Sequence, residues 1–230
     1  QNSIRIAQWM SQSPGATAYI GSIGKDEFGS TLKKACEGAG VKPYYYETDE
    51  KPTGVCAVVI VDKERSLCTK LEAANEYKHT HTVSEEIQQV INKAQIYYSA
   101  SFFLTLPDGP ESALAVAKHA AENDKIYCMN LSAEFLIDYF GEQISKLLPY
   151  SDFVFGNESE AALFGKKRGW EGDLTEIALK LSALPKESGS RPRVVVFSQG
   201  AEATIVAVNG AVTLFPVPKL DDDLLVDTNG

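Results

Sequence analysis

The fold class is decided by the stretch Asp152-Phe153-Val154-Phe155-Gly156-Asn157-Glu158-Ser159-Glu160-Ala161-Ala162-Leu163-Phe164. Its apolar run from Phe153 to Phe155 predicts a buried strand, and Gly156 predicts a sharp turn after it. Apolar residues then return at helical spacing over 161–164. A strand that leads directly into a helix is the repeating unit of an α/β fold with a mainly parallel sheet.

A polar pair, Asn157 and Glu160, lies where this strand meets its helix. A spacing of three residues places both side chains on one face of the helix. In an open α/β sheet, ligands bind outside the carboxyl ends of the strands, so this pair is a candidate binding site. The same spacing is also that of a capping box, in which Asn157 and Glu160 only stabilise the start of the helix. The sequence leaves both interpretations open.

Composition limits the possible functions. The chain has 230 residues and is 44% hydrophobic, which is enough for one substantial α/β core. Its 31 acidic and 22 basic side chains give a net charge of −9, which excludes a broad basic surface for nucleic acid. No apolar run approaches the roughly 20 residues of a membrane span, and no signal peptide opens the chain. We therefore expect a cytoplasmic protein, with a nuclear pool also compatible.

The cysteines and histidines show no metal-binding pattern. The four cysteines form no Cys-x-x-Cys pair, and the three histidines do not complete a zinc-like spacing near them. We expect four reduced structural thiols at Cys36, Cys56, Cys68 and Cys128.

The first third of the chain departs from strand–helix alternation. A helix is predicted over 1–12, a strand over 16–20, and a turn over 21–26 into a second helix with Asp26 as its N-cap. Three strand-like segments then follow without an intervening helix, at 41–47, 54–62 and 66–71. Consecutive strands favour an antiparallel arrangement, so we predict a small β-strand lid over residues 41–72.

The rest of the chain returns to alternation. Helical patterns begin at Val83 and Asp108, and others cover 144–148 and 174–184; strand patterns cover 96–100, 125–130 and 193–197. Asn209-Gly210 joins two further short strands, 204–208 and 211–215, and is a strong hairpin signal. We predict a mainly parallel sheet sandwiched by helices, formed by residues 1–40 and 73–230, with an antiparallel edge.

The chain resembles the ribokinase-like family of carbohydrate and nucleoside kinases, and within it the adenosine-phosphorylating members. The resemblance covers all 230 residues and depends on the order of motifs that are individually weak. These motifs are Gln1-Asn2-Ser3, Gly21-Ser22-Ile23-Gly24-Lys25-Asp26-Glu27-Phe28-Gly29, Pro52-Thr53-Gly54, Arg65-Ser66-Leu67, Phe102-Phe103-Leu104-Thr105, Asn130-Leu131-Ser132-Ala133, Phe155-Gly156-Asn157-Glu158-Ser159-Glu160 and Asp227-Thr228-Asn229-Gly230.

The resemblance implies transfer of the γ-phosphoryl group of ATP to the 5′-hydroxyl of adenosine, with Mg²⁺ required and with adenosine and ATP as the partners. It implies a ribokinase-like fold and a monomer that binds neither nucleic acid nor membrane. Two alternatives stay open: another nucleoside or sugar kinase of this fold, and a non-catalytic adenosine-binding protein built on it.

The resemblance also implies roles for individual residues. Asn157 and Glu160 would organise Mg²⁺ and the nucleotide phosphates, Glu160 through water, and Ser198 and Gly200 would contact ATP. Arg65 would reach the γ-phosphate, and Gly230 would open an anion hole. The residues implied to bind the substrate are Asn2, Leu67, Phe103, Phe135 and Asn229, of which Leu67, Phe103 and Phe135 would enclose the purine.

The chain departs from the family pattern in several places. Family members continue the last motif as Gly-Ala-Gly-Asp, and the Asp is their general base, whereas this sequence stops at Gly230. Glu134 stands where related adenosine kinases carry a small residue or Pro, and Lys63-Glu64 replaces a more acidic or amide pair. We expect residues 1–230 alone to be inactive, because the general base is not among them.

Overall fold

The computed structural model describes residues 1–61, 64–187, 189 and 191–219, without the side chains of Glu64 and Arg65. The described residues fall into two compact units, Gln1–Val90 and Ile91–Lys219. The predicted division into a large domain and a lid over 41–72 stays a prediction at the level of domains.

The first unit contains two separate pairs of strands. Strand β1 runs parallel to β2, with Gly21 opposite Tyr45, and β3 runs antiparallel to β4, with Val58 opposite Leu67. Its elements are α1 (Asn2–Ser11), β1 (Ala18–Gly24), α2 (Glu27–Gly38), β2 (Lys42–Thr48), β3 (Val55–Val61), β4 (Glu64–Lys70), α3 (His79–Thr82) and most of α4 (Glu85–Lys93), with a 3₁₀ turn at Glu72–Glu76.

Two predictions for this unit were wrong. The lid was predicted to include the first of three antiparallel strands, but β2 pairs in parallel with β1. The turn predicted over 21–26 is instead largely strand, since β1 continues to Gly24. At Gly24 the backbone of β1 passes close to another segment, because a Cβ atom on this residue would lie 2.6 Å from the carbonyl oxygen of Lys51. The lack of space for a side chain, and not a turn, explains why glycine occurs here.

Asp26 is the N-cap of α2, as predicted, and it also holds the base of the β3–β4 pair. One carboxylate oxygen accepts the Gly29 N–H at 2.8 Å and the Thr53 hydroxyl at 2.7 Å. The other accepts the Thr53 N–H at 2.7 Å. These hydrogen bonds lower the pKa of Asp26, with the bond from Gly29 contributing most. One carboxylate therefore joins the start of a helix to the residue that leads into β3.

The second unit is built on a six-stranded sheet in the order β10-β9-β8-β7-β6-β5. Strands β5 to β8 are parallel, and β9 and β10 are antiparallel additions. The predicted parallel sheet with an antiparallel edge is confirmed. The elements are β5 (Ile96–Ala100), α5 (Gly109–Glu122), β6 (Ile126–Asn130), α6 (Glu134–Leu147), β7 (Phe153–Asn157), α7 (Glu158–Lys167), α8 (Leu174–Ser182), β8 (Val194–Gln199), β9 (Glu202–Val208) and β10 (Ala211–Phe215).

The predicted hairpin is confirmed: Asn209 and Gly210 have φ values of 51° and 73° between β9 and β10. Helix α6 begins ten residues earlier than the predicted 144–148 segment, at Glu134. The polar and aromatic residues after β6 hid its first turns from a periodicity argument. Gly156 is part of β7 and not a turn, and a Cβ atom on it would lie 3.2 Å from Leu131 and 3.3 Å from Glu160.

Arg193 lies at the amino end of β8 with 1% of its surface exposed. Its guanidinium donates five hydrogen bonds to main-chain carbonyl oxygens, and burial lowers its pKa to about 10. The acceptors are Leu148, Ser151, Leu181, Leu184 and Pro185. Nearby, the buried carboxylate of Asp152 accepts a hydrogen bond from Lys186 at 2.5 Å and from the Tyr127 N–H at 3.0 Å. The Arg193 guanidinium and the Asp152 carboxylate thus stabilise this end of the sheet through hydrogen bonds to the main chain and to Lys186.

Among the described residues, no helix has the length and apolar character needed to cross a membrane. All four cysteines are free. Cys36 and Cys128 are buried, whereas Cys56 and Cys68 are exposed on β3 and β4. The prediction of a structural thiol was therefore wrong for the exposed pair, because neither packs in a core.

Candidate functional site

The carboxyl ends of the four parallel strands of the second unit lie side by side. In the register of the sheet, Ala100 is opposite Asn130, Asn130 is opposite Phe155, and Asn157 is opposite Ser198. The polar residues of three predicted motifs therefore meet at one edge. Because ligands of open α/β sheets bind at this edge, it is the candidate site.

Asn157 and Glu160 form a complete capping box at the start of α7. The Asn157 side-chain oxygen accepts the Glu160 N–H at 2.8 Å and the Ser159 hydroxyl at 3.0 Å. In return, the Glu160 carboxylate accepts the Asn157 N–H at 3.1 Å. The capping interpretation is confirmed, and it is compatible with a binding role because both residues lie at the ligand edge of the sheet.

Glu160 is a buried carboxylate with 5% of its surface exposed. Burial raises its pKa, and hydrogen bonds from the N–H groups of Asn157 and Ser132 oppose that rise. The carboxylates of Glu134 and Glu158 raise its pKa further. Three acidic side chains thus share this edge, and a cation bound there would relieve their repulsion.

A tight turn follows β6 at the same edge of the sheet. Ser132 adopts a left-handed conformation with φ of 70°, which is uncommon for a residue with a side chain. Its hydroxyl donates to the carbonyl oxygen of Asn130 at 2.9 Å and accepts the Ser101 N–H at 3.1 Å. Its own N–H donates to the Asn130 side-chain oxygen at 2.8 Å. Sequence reasoning missed Ser101 and Ser132, since only the positive φ and the hydrogen bonds single them out.

Two exposed aromatic rings flank the same edge. The centroids of Phe102 and Phe135 lie 5.8 Å apart at an angle of 60°, and the two residues are 50% and 46% exposed. Phe103, which the sequence analysis selected for the purine, is half-buried in the 3₁₀ turn Ser101–Thr105. Phe102 is therefore the more exposed ring of the adjacent pair, and the role of Phe103 stays a prediction. Adjacent phenylalanines could not be ranked from the sequence.

Ser198 and Gly200 lie at the carboxyl end of β8, the last of the four parallel strands. Ser198 is exposed near the carboxyl end of β8 and lies opposite Asn157. Gly200 follows β8 with φ of 57°, and a Cβ atom on it would meet nothing within 4 Å. This glycine is needed for its backbone conformation and leaves open space beside the strand end. Both residues are placed where a nucleotide could reach them.

The remaining predicted site residues belong to the first unit or lie outside the described residues. Asn2 is exposed in the first turn of α1, and Leu67 is 58% exposed on β4. The backbone of Arg65 pairs with Ile60 in the same hairpin. Asn229 and Gly230 fall outside the described part of the chain. Their roles stay predictions.

One other concavity is a shallow open groove of about 550 Å³ around the α7–α8 connection. Its lining includes Lys166, Trp170 and Asp173, and none of the predicted site residues. Within the described ranges, no group of three or more His, Cys, Asp or Glu side chains is arranged to hold a metal ion. A cation at the candidate site would therefore need ligands beyond these side chains.

Comparison with known proteins agrees with this geometry. The family model described as pfkB family carbohydrate kinase matches residues 1–230. The chain belongs to this family.

The chain is also similar to individual pfkB family members. It is 50% identical to adenosine kinase 2 of Arabidopsis thaliana, over 100% of this chain and 66% of that protein. It matches the structure of Anopheles gambiae adenosine kinase in complex with P1,P4-di(adenosine-5) tetraphosphate with a TM-score of 0.95 at 38% identity, covering 100% of this chain and 67% of that one. It matches Schistosoma mansoni adenosine kinase in complex with adenosine with a TM-score of 0.90 at 32% identity, covering 100% and 67%. The chain thus spans about two thirds of the length of these relatives.

Proposed function

We propose that the protein carrying this chain transfers the γ-phosphoryl group of ATP to the 5′-hydroxyl of adenosine and releases AMP and ADP. The observation that carries the proposal is the alignment of Asn157, Glu160 and Ser198 at one sheet edge, beside the exposed rings of Phe102 and Phe135. A polar phosphate side next to an aromatic surface suits a nucleoside and a nucleotide. The adenosine kinases among its pfkB relatives support the same substrate.

In this proposal, the protein acts by positioning its substrates and by stabilising charge. Phosphoryl transfer needs little covalent chemistry from protein groups, so oriented donors and cations carry the rate. Asn157 and Ser198 would hold the phosphate-bearing end of the nucleotide. Arg65 would supply positive charge to the transferring oxygens, and the amide of Gly230 would belong to the anion hole.

The adenosine side would be formed by apolar and amide groups. Phe103 and Phe135 would contact the purine, and the exposed ring of Phe102 packs against Phe135; Leu67 stays a candidate for the same contact from the sequence resemblance alone. Asn2 would bind the ribose, and Asn229 would contact the substrate. An enclosure of this kind excludes water from the reacting groups.

The residues present also fit Mg²⁺. Magnesium keeps most of its water and is held in proteins by one or two carboxylates together with substrate phosphates. Glu160 is a buried carboxylate at the ligand edge of the sheet beside two other acidic side chains, which suits that mode of binding. When bound with ATP, the ion would neutralise phosphate charge. Glu160 would orient it through water. We further propose that the protein acts as a monomer.

The test compares adenosine, inosine and ribose as acceptors for the full-length protein in a coupled ADP-release assay. We expect the highest kcat/KM with adenosine, because a bare sugar cannot fill an aromatic enclosure. Equal or better phosphorylation of ribose would reject the nucleoside assignment and favour a sugar kinase of the same fold. Adenosine binding without any ADP release would instead support a non-catalytic binding protein.

A further inference from the structure

Two serines join the chain segments that follow β5 and β6. The N–H of Ser101 donates to the hydroxyl oxygen of Ser132 at 3.1 Å. Both hydroxyls donate to the carbonyl oxygen of Asn130, that of Ser101 at 2.6 Å and that of Ser132 at 2.9 Å. These three hydrogen bonds form the serine link. Ser101 is 2% exposed, so water competes little for its hydrogen bonds.

The backbone of Ser132 is held in the conformation that the serine link requires. Its φ of 70° is left-handed, which is unfavourable for a residue with a side chain. Such a conformation persists only where the surroundings hold it in place. Here the N–H of Ser132 donates to the Asn130 side-chain oxygen at 2.8 Å, and its hydroxyl is bonded to both Asn130 and Ser101. The turn and the serine link therefore depend on each other.

The two linked segments carry the aromatic side chains that flank the candidate site. Phe102 and Phe103 directly follow Ser101 in a 3₁₀ turn. Phe135 lies in the first turn of α6, three residues after Ser132. The rings of Phe102 and Phe135 are in contact, with centroids 5.8 Å apart, yet both are about half exposed. Because core packing surrounds only part of these rings, their positions depend on the backbone from which they project.

We propose that Ser132 is a positioning residue for purine recognition, which through the serine link fixes the segment after β5 against the start of α6 and so holds the aromatic rings of both segments in the arrangement that contacts adenosine. This inference rests on the proposed function, and it gives the Asn130–Ala133 motif a task other than contact with the purine. Aromatic rings attract one another only in certain arrangements, with centroids about 4.5–7 Å apart. Loss of the serine link should therefore weaken adenosine binding and leave the phosphate side of the site unchanged.

The experiment measures the dissociation constant of adenosine for the full-length protein by isothermal titration calorimetry, without ATP. We expect Ser132→Ala to raise this constant about fivefold, because it loses both hydroxyl bonds and tolerates φ of 70° poorly. Ser132→Gly should raise it less, since glycine adopts this φ readily and only the hydroxyl is lost. In the coupled ADP-release assay at saturating adenosine, the KM for ATP should stay unchanged in both variants. An equal rise in the KM for ATP would contradict a role confined to the purine side.

Ser151→Ala is the matched control. Ser151 is buried, and its hydroxyl donates to the carbonyl oxygen of Leu147 at 2.9 Å, beside the amino end of β7 and away from the candidate site. Its loss should lower the melting temperature and leave the adenosine constant unchanged. If the Ser132 variants lower the melting temperature as Ser151→Ala does but bind adenosine like the wild type, the positioning role is refuted.

Phe135→Ala tests whether Ser132 acts through the aromatic rings. We expect it to raise the adenosine constant about tenfold, because stacking of a base on an aromatic ring is lost. Adding Ser132→Gly to Phe135→Ala should then weaken binding less than Ser132→Gly does alone, since one of the rings that it positions is already absent. An equal additional loss would show that Ser132 acts by another route and would overturn the proposal.

The same variants separate this inference from the proposed function. If the wild-type protein does not bind adenosine, the proposed function is rejected, and the role of Ser132 with it. If Phe135→Ala has no effect on adenosine binding, the purine role of that ring fails, and the positioning role fails too. If Phe135→Ala weakens binding and neither Ser132 variant does, only the positioning role is overturned. Should Ser132→Ala fail to fold, Ser132→Gly decides the question.

Discussion

Replacing Asn157 by Ser or by Ala separates the two roles of this residue. Its side-chain oxygen accepts the Glu160 N–H at 2.8 Å and the Ser159 hydroxyl at 3.0 Å, and Ala removes both bonds. Loss of an N-cap costs about 1 kcal/mol, whereas Ser caps a helix almost as well as Asn. For a domain of this size, we expect Ala to lower the melting temperature by roughly 2–4 °C and Ser to restore most of it.

The loss of turnover in the two Asn157 variants should not parallel their loss of thermal stability. Ser lacks the carboxamide that we assign to the nucleotide side of the site, so both variants should lose activity. A loss of about tenfold in kcat/KM would correspond to about 1.4 kcal/mol of transition-state stabilisation. Thermal denaturation and the coupled ADP-release assay on the same preparations measure the two effects. If Ser restored both stability and turnover, Asn157 would be a cap and nothing more.

Helix α8 supplies a matched control. Asp173 is its N-cap, and its carboxylate accepts the Glu176 N–H at 2.9 Å and the Thr175 hydroxyl, the same pattern that Asn157 shows at α7. Asp173 is not among the candidate site residues. Asp173→Ala should therefore cost a similar amount of stability and leave turnover unchanged. A loss of turnover equal to that of Asn157→Ala would mean that helix stability alone limits activity.

Three further predictions follow from the same structure. Glu160→Leu should raise the Mg²⁺ concentration for half-maximal rate and lower kcat, which a Mg²⁺ titration of turnover measures; an unchanged Mg²⁺ dependence contradicts it. Arg65→Ala should lower kcat far more than it weakens adenosine binding, because Arg65 is proposed to stabilise the negative charge that develops on the transferring phosphoryl group. Adenosine titrations without ATP measure the binding. An equal fall in kcat and in adenosine affinity would mean that Arg65 contributes to substrate binding in general. Arg193→Met should lower the free energy of unfolding, measured in urea, by about 3–5 kcal/mol, because the buried carbonyl oxygens lose their hydrogen-bond donor. A loss of under about 1 kcal/mol would show that these oxygens find other donors.

Local signals in the sequence predicted local structure well. Asp26 as a cap, Asn209-Gly210 as a hairpin and the Asn157–Glu160 capping box depend on residues a few positions apart, and all are found in the structure. The predicted strand partner of β2 was wrong, because strand pairing is decided by packing between segments that are distant in the sequence. Propensity reports that residues 42–48 are extended, but it carries no information about which strand lies beside them.

The candidate site divides in the same way. Asn157, Glu160 and Ser198 could be selected because each follows or ends a strand pattern, and parallel strands bring such ends together. Ser132 could not, because its left-handed backbone depends on hydrogen bonds to Ser101 and Asn130 that form only in the folded chain. Glycine at such a position would have been a signal in the sequence, whereas serine is not.

The carbonyl acceptors of Arg193 bear on the order in which the second unit assembles. They come from the segment after α6 and from the last turn of α8 with the segment after it, so the guanidinium cannot make all its hydrogen bonds until both parts of the chain have docked against β8. Interactions that complete late are weak in the folding transition state and act mainly on the unfolding rate. We therefore expect the hydrogen bonds of Arg193 to slow the unfolding of the second unit and to contribute little to its folding rate.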